Sequence, residues 1–202
     1  MKRYKFLFVF ILMVTIILCI GYTRHMLSDG WSLIRLPKHG TQLGRFEGWS
    51  IYSANGANHR GKYGLEFQCV ELINRAYGQR GHRNMTKTGH ADSYFWNAKT
   101  KGLIAYPNGS SVSPQKYDIL IFDGGDNDGS VGHVALITKV DLLQGYISIV
   151  QQNIVSTRYL VFKRYIWSDR LNINNINNTY FVERGSYLQP IAGWSRPQEK
   201  EE

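Results

Sequence analysis

Residues 6–22, FLFVFILMVTIILCIGY, are apolar apart from Thr15 and the terminal Tyr22, and they follow Lys2, Arg3 and Lys5. No other feature restricts the fold as strongly. Such a run is near the lower limit of about 17 residues for a spanning helix. A basic stretch before an apolar one also describes a signal peptide, but no small-residue cleavage site follows in CIGYTRH. Lipid attachment at Cys19 would want a small residue where Leu18 stands. An uncleaved anchor is therefore expected over residues 1–25, with cleavage as the alternative. A buried core helix is disfavoured because the run is apolar all round. Positive charge ahead of the run predicts the N-terminus inside and the remainder exported.

What remains is about 175 residues, enough for one domain with a real core. Without Lys2, Arg3 and Lys5 it carries 21 basic against 15 acidic residues, a net charge of +6 that favours an anionic surface or polymer such as cell wall or phospholipid. The basic residues are scattered and no nucleic-acid motif occurs, so nucleic acid is not an expected partner. The only cysteines are Cys19, inside the apolar run, and Cys69. An internal disulfide is not expected, and stability must come from packing, to which 13 Tyr, 9 Phe and 5 Trp contribute.

The expected organisation is a tether over 26–43, a domain over 44–196 and a solvated tail over 197–202. Val70, Ile73, Ala76 and Tyr77 form one apolar stripe, predicting a helix over 69–79 stopped by Gly78 and Gly81. A second short helix is predicted over 91–102. From residue 117 the period changes to that of strands: 117–123, 133–140, 145–153 and 158–167, with IAGW (191–194) closing the sheet. The asparagine-rich stretch 171–178 reads as a polar loop. Helices first and an antiparallel sheet afterwards make an α+β domain.

Cys69 begins the predicted helix, where free N–H groups and the helix dipole favour a thiolate. A core cysteine is the plainer alternative. Of six histidines, His133 opens a buried strand directly after the glycine-rich loop 124–132, so its side chain is expected at a cleft. Asp126, Asp128 and Gly129 in that loop lack the ladder and closing Glu of a calcium site, and no metal or other cofactor is expected. A base needs a third group to fix its tautomer. The next strand ends in IVQQN, whose period of two puts Gln151 and Asn153 on one face and Gln152 on the other. A strand running out into polar residues is the simpler reading of the same letters.

The blocks FQCVE, AYPNGS, DILIFD…GHVALIT, ISIVQQN and IAGW resemble, in order over roughly residues 44–196, those of the CHAP domain, the cysteine- and histidine-dependent amidohydrolases and peptidases. The closest likeness is to the amidase domain of glutathionylspermidine synthetase/amidase. The resemblance implies a papain-like α+β fold and amide hydrolysis through a thioester. It implies Cys69 as nucleophile, His133 as base, and Gln68 with the Cys69 N–H as oxyanion donors. Gln151 occupies the position of an acidic residue in the family pattern, so the orienting role falls to Gln151 or Asn153. The expected protein is an exported, membrane-tethered monomer that hydrolyses amides of peptidoglycan. The alternatives are a small γ-glutamyl-glycyl amide as substrate, or a non-catalytic wall-binding module. Catalysis requires Cys69 and His133 to come within hydrogen-bond reach.

Overall fold

The computed structural model describes residues 2–28, 31–33, 35–56, 59–82, 89–125, 131–158 and 162–198. In chain order the elements are α1 (Lys2–Ser28), β1 (Ser32–Leu33), β2 (Gln42–Phe46), β3 (Trp49–Tyr52), β4 (Arg60–Gly61), β5 (Gly64–Leu65), α2 (Cys69–Gln79) and α3 (Ser93–Trp96). A 3-10 turn (Ala98–Lys101) leads into β6 (Leu103–Pro107), β7 (Ile119–Phe122), β8 (His133–Asp141) and β9 (Tyr146–Val150). The chain ends with β10 (Val155–Arg158), β11 (Phe162–Tyr165), β12 (Ser168–Ile176), β13 (Thr179–Val182) and β14 (Ile191–Pro197).

The chain forms two compact units, residues 1–37 with 155–164, and residues 38–154 with 165–202. In the first, α1 holds a stretch, Phe8–Ser28, long and apolar enough to cross a membrane, almost all of it exposed; a signal sequence has the same character. Thr15 and Thr23 return their hydroxyl protons to the carbonyls of Ile11 and Cys19, so neither is left unsatisfied along the apolar surface. Near the end of α1, Met26 packs with Trp31 and Phe162, and β1 pairs antiparallel with β11, which β10 flanks in a small sheet.

The second unit is built on a seven-stranded sheet in the order β13-β12-β9-β8-β7-β14-β6, antiparallel at every junction. Alternation along β7 and β8 separates two cores. Ile119, Ile121, Val134 and Leu136 meet Leu72, Ile73, Ala76 and Tyr77 of α2 on one face. Leu120, Phe122, Ala135 and Ile137 meet Ile147, Ile149, Leu171 and Trp194 on the other. β14 lies between β7 and β6, not at the sheet edge, with a bulge between Ile191 and Gly193. Gly193 has φ 156°, and a Cβ there would lie 2.0 Å from the Tyr106 carbonyl oxygen, so no larger residue fits.

The helix over 69–79 forms as the stripe predicts. The segment over 91–102 splits into α3 and the 3-10 turn. The strand expected over 158–167 is divided between β10 and β11. The loop expected over 171–178 is a correction: most of it is strand β12, because Leu171 and Ile173 point inward while Asn172, Asn174 and Asn175 face solvent. Asn177 and Asn178, at φ 52° and 60°, make the hairpin turn to β13. The expected tether over 26–43 contains β1, and β2, paired with β3, begins within it at Gln42. Asp126, Asp128 and Gly129 lie outside the described residues.

Candidate active site

Gln68 has an extended backbone (φ −75°, ψ 164°), and Cys69 is the first helical residue of α2. The Gln68 carbonyl accepts the N–H of Leu72 at 3.3 Å and starts the helix. Phe67, just before, has φ 60°, a conformation costing a non-glycine residue about 1–2 kcal/mol. Its ring packs at 4.8 Å from both Tyr52 and His39, which holds the strained turn that aims Cys69.

The Cys69 thiol is half-buried, yet closely surrounded, and burial pushes its pKa up. The backbone N–H groups of Val134, Val70 and Cys69 itself act in the opposite direction without prevailing. Sequence reasoning expects a helix start to favour thiolate. The N–H groups are in place, but desolvation outweighs them.

His133 is the first residue of β8, opposite Phe122 of β7, and its ring lies 5.6 Å from the Phe122 ring. It is 4 % exposed, and burial takes its pKa down to about 4, partly offset by a hydrogen bond to Gln151. The resting ring is thus neutral. Gln151, fully buried beyond β9, accepts from His133 Nε2–H at 2.9 Å through Oε1. A carbonyl oxygen only accepts, so Nε2 carries the proton and Nδ1 the lone pair.

Val134, on the face covered by α2, offers its N–H to Cys69, while its neighbour His133 turns towards Phe122 and Gln151. Among the described residues no hydrogen bond joins the thiol to the imidazole. Catalytic hydrogen bonds are often loose before substrate binds.

Each amide of the QQN tripeptide serves a different partner. Gln151 holds His133. Gln152 faces the other way: its Oε1 accepts from Tyr52 N–H (3.0 Å) and Arg75 Nη2 (3.1 Å), and its Nε2 donates to the Gln68 carbonyl (3.1 Å) and Glu71 Oε2 (3.0 Å). It clamps the start of α2, helped by the Arg75–Glu71 ion pair at 2.8 Å. Asn153 has φ 63°, which takes it out of the strand's alternation, and its Nδ2 donates to Gln68 Oε1 at 2.6 Å. The expectation that Asn153 shares the face of Gln151 is corrected by this turn. With its oxygen held, Gln68 has its NH2 left to donate beside Cys69.

Sequence reasoning missed the clamp of Gln152, Glu71 and Arg75, and also Tyr187, whose hydroxyl accepts from Gln151 Nε2 at 2.5 Å. Among the described residues no group of three or more His, Cys, Asp and Glu could hold a metal ion. No curated protein matches the chain. Residues 58–153 match the family model of the CHAP domain. That stretch, just under half of the chain, contains Gln68, Cys69, His133, Gln151 and Asn153, and its match supports the CHAP domain family, whose members are generally hydrolytic amidases and peptidases.

Proposed function

We propose that the protein is a membrane-tethered cysteine amidase or endopeptidase of papain-like design that hydrolyses peptide amides of peptidoglycan outside the cytoplasm. The observation that carries this reading is the buried His133–Gln151 hydrogen bond, which leaves a bare Nδ1 on a neutral imidazole one residue from the N–H that faces the thiol. The apolar α1 supplies the tether and the net positive charge suits an anionic wall.

In this mechanism His133 Nδ1 takes the Cys69 proton as the sulfur attacks the amide carbonyl. The oxyanion meets the Gln68 amide and the Cys69 N–H. The imidazolium then protonates the leaving amine, and the C–N bond breaks to a thioester. Water, deprotonated by the same ring, releases the acid and restores the thiol. A raised thiol pKa beside a lowered imidazole pKa makes proton transfer part of the attack, with no standing ion pair.

The competing reading is a non-catalytic wall-binding module, and the missing thiol–imidazole hydrogen bond favours it. Full-length protein in mild detergent, incubated with purified peptidoglycan and analysed by mass spectrometry, separates the two. New amine and carboxyl ends that vanish with Cys69→Ala support the hydrolase. Binding to peptidoglycan without new ends refutes it.

A further inference from the structure

We infer that Tyr187 and Asp169 are positioning residues that set the tautomer of His133 through a directed chain of hydrogen bonds. The consequence for rate rests on the amide-hydrolase reading above; the tautomer is readable without any substrate.

The chain starts at a carboxylate. Asp169, in β12, lies opposite Ile149 of β9, two residues before Gln151 and so on the same face of the sheet. Its Oδ1 accepts the backbone N–H of Arg170 at 2.8 Å, and its Oδ2 accepts from the Tyr187 hydroxyl at 2.9 Å. An ionised carboxylate accepts only, so the single phenolic proton is committed to Asp169. Burial foremost, and then the charge of Asp169, push the Tyr187 pKa up and keep that proton in place. The phenolic oxygen can then only accept, so the amide group facing it at 2.5 Å is the NH2 of Gln151. The other end of that amide, Oε1, is left facing His133 Nε2 at 2.9 Å. An amide can turn over at little steric cost, and without a fixed neighbour it would present either end to the ring. Three hydrogen bonds away, Asp169 decides that Nδ1 is the bare nitrogen. The Tyr187 ring is buried at 4.7 Å from Phe122, which also carries the His133 ring.

The isosteric change Asp169→Asn reverses the chain. The N–H of Arg170 still requires an oxygen, so the new NH2 turns to Tyr187. The phenolic proton then points at Gln151, the amide turns over, and its NH2 faces His133 Nε2. That nitrogen becomes the acceptor, and the proton moves to Nδ1, where it blocks the base. Tyr187→Phe keeps the ring packing and removes the restraint.

The test is the His133 tautomer, read by long-range proton–nitrogen correlation on 15N-histidine-labelled full-length protein in detergent micelles, with the signal identified by its loss in His133→Gln. The wild type should show the Nε2–H form, Tyr187→Phe a mixture, and Asp169→Asn mainly the Nδ1–H form. On a peptide amide, turnover should fall about tenfold in Tyr187→Phe and about a hundredfold or more in Asp169→Asn, since a wrong tautomer costs up to ~10⁴ in related triads. Both variants keeping the wild-type tautomer overturns the inference, whether turnover falls or not. A tautomer that shifts in a protein that cleaves no amide leaves the chain of hydrogen bonds standing and removes the hydrolase reading.

Discussion

The His133 ring has an ordinary pKa of 6.5 in the unfolded chain and is held down to about 4 in the folded one. The unfolded chain therefore takes up the proton first as the pH falls. The stabilisation from this group is complete above about pH 6.5 and is lost progressively towards about pH 4. Each pH unit in that window corresponds to about 1.4 kcal/mol. Between about pH 7 and about pH 5 the loss due to this one ring comes to about 2 kcal/mol, after allowing for the rounded onset of the titration. The ring is 4 % exposed, so solvent screening takes little from that figure. The assay is denaturant unfolding of the full-length protein in a fixed detergent, followed by tryptophan fluorescence at both pH values, for wild type and His133→Gln. Titration of the other groups is common to both and cancels in the difference. The wild type should lose about 2 kcal/mol more than the variant over that interval. Equal losses would refute the burial of a neutral ring at the start of β8.

The acidic limb of kcat/KM on one defined peptide amide should lie near pH 4 and not near the ordinary value of 6.5, because the base must be neutral in the free enzyme; a limb near 6.5 contradicts the assignment. Gln151→Ala should lower both turnover and thermal midpoint, since it strands His133 Nε2–H and Tyr187 in a buried site at a cost of about 2 kcal/mol. Asn153→Ala should lower turnover and cost about 1 kcal/mol, because Asn153 is exposed and holds only Gln68 but sits at φ 63°, where alanine is strained; a Gln151→Ala that behaves like wild type beside an inactive Asn153→Ala exchanges the two roles. Cys69→Ala should abolish hydrolysis and cost about 1 kcal/mol or less, whereas a variant that stays active and melts much earlier marks Cys69 as a packing residue. Gln152→Leu should cost about 2 kcal/mol or more by calorimetry, as it strips Tyr52 N–H of its partner and takes one hydrogen bond each from the Gln68 carbonyl, Glu71 and Arg75; a near-neutral result removes the clamp.

Local signals were legible wherever one periodicity ruled a segment. The stripe Val70, Ile73, Ala76 and Tyr77 marks α2 and its start at Cys69 because those side chains face a single sheet. The buried runs of β7 and β8 are equally plain. Residues 168–176 were not, since Asn172, Asn174 and Asn175 look like loop until a partner strand is known. For the same reason Asp169 carried no signal: its task depends on Tyr187, 18 residues further on, which contacts it only after β12 has paired with β9. The tripeptide QQN was legible as a group of amides needing partners. Which partner each would take was not, because a single left-handed residue, Asn153, redirects the last of them.

Holding Cys69 as a protonated thiol bears on how long the protein lasts in an oxidising solution. Peroxides and disulfides react with the thiolate, so a sulfur whose pKa is raised by burial is a slow target for them. The chain's other cysteine, Cys19, lies in the apolar helix α1. A sulfenic acid formed at residue 69 and met by no resolving thiol would advance towards irreversible oxidation. The desolvation that keeps the Cys69 thiol protonated is therefore also its shelf life.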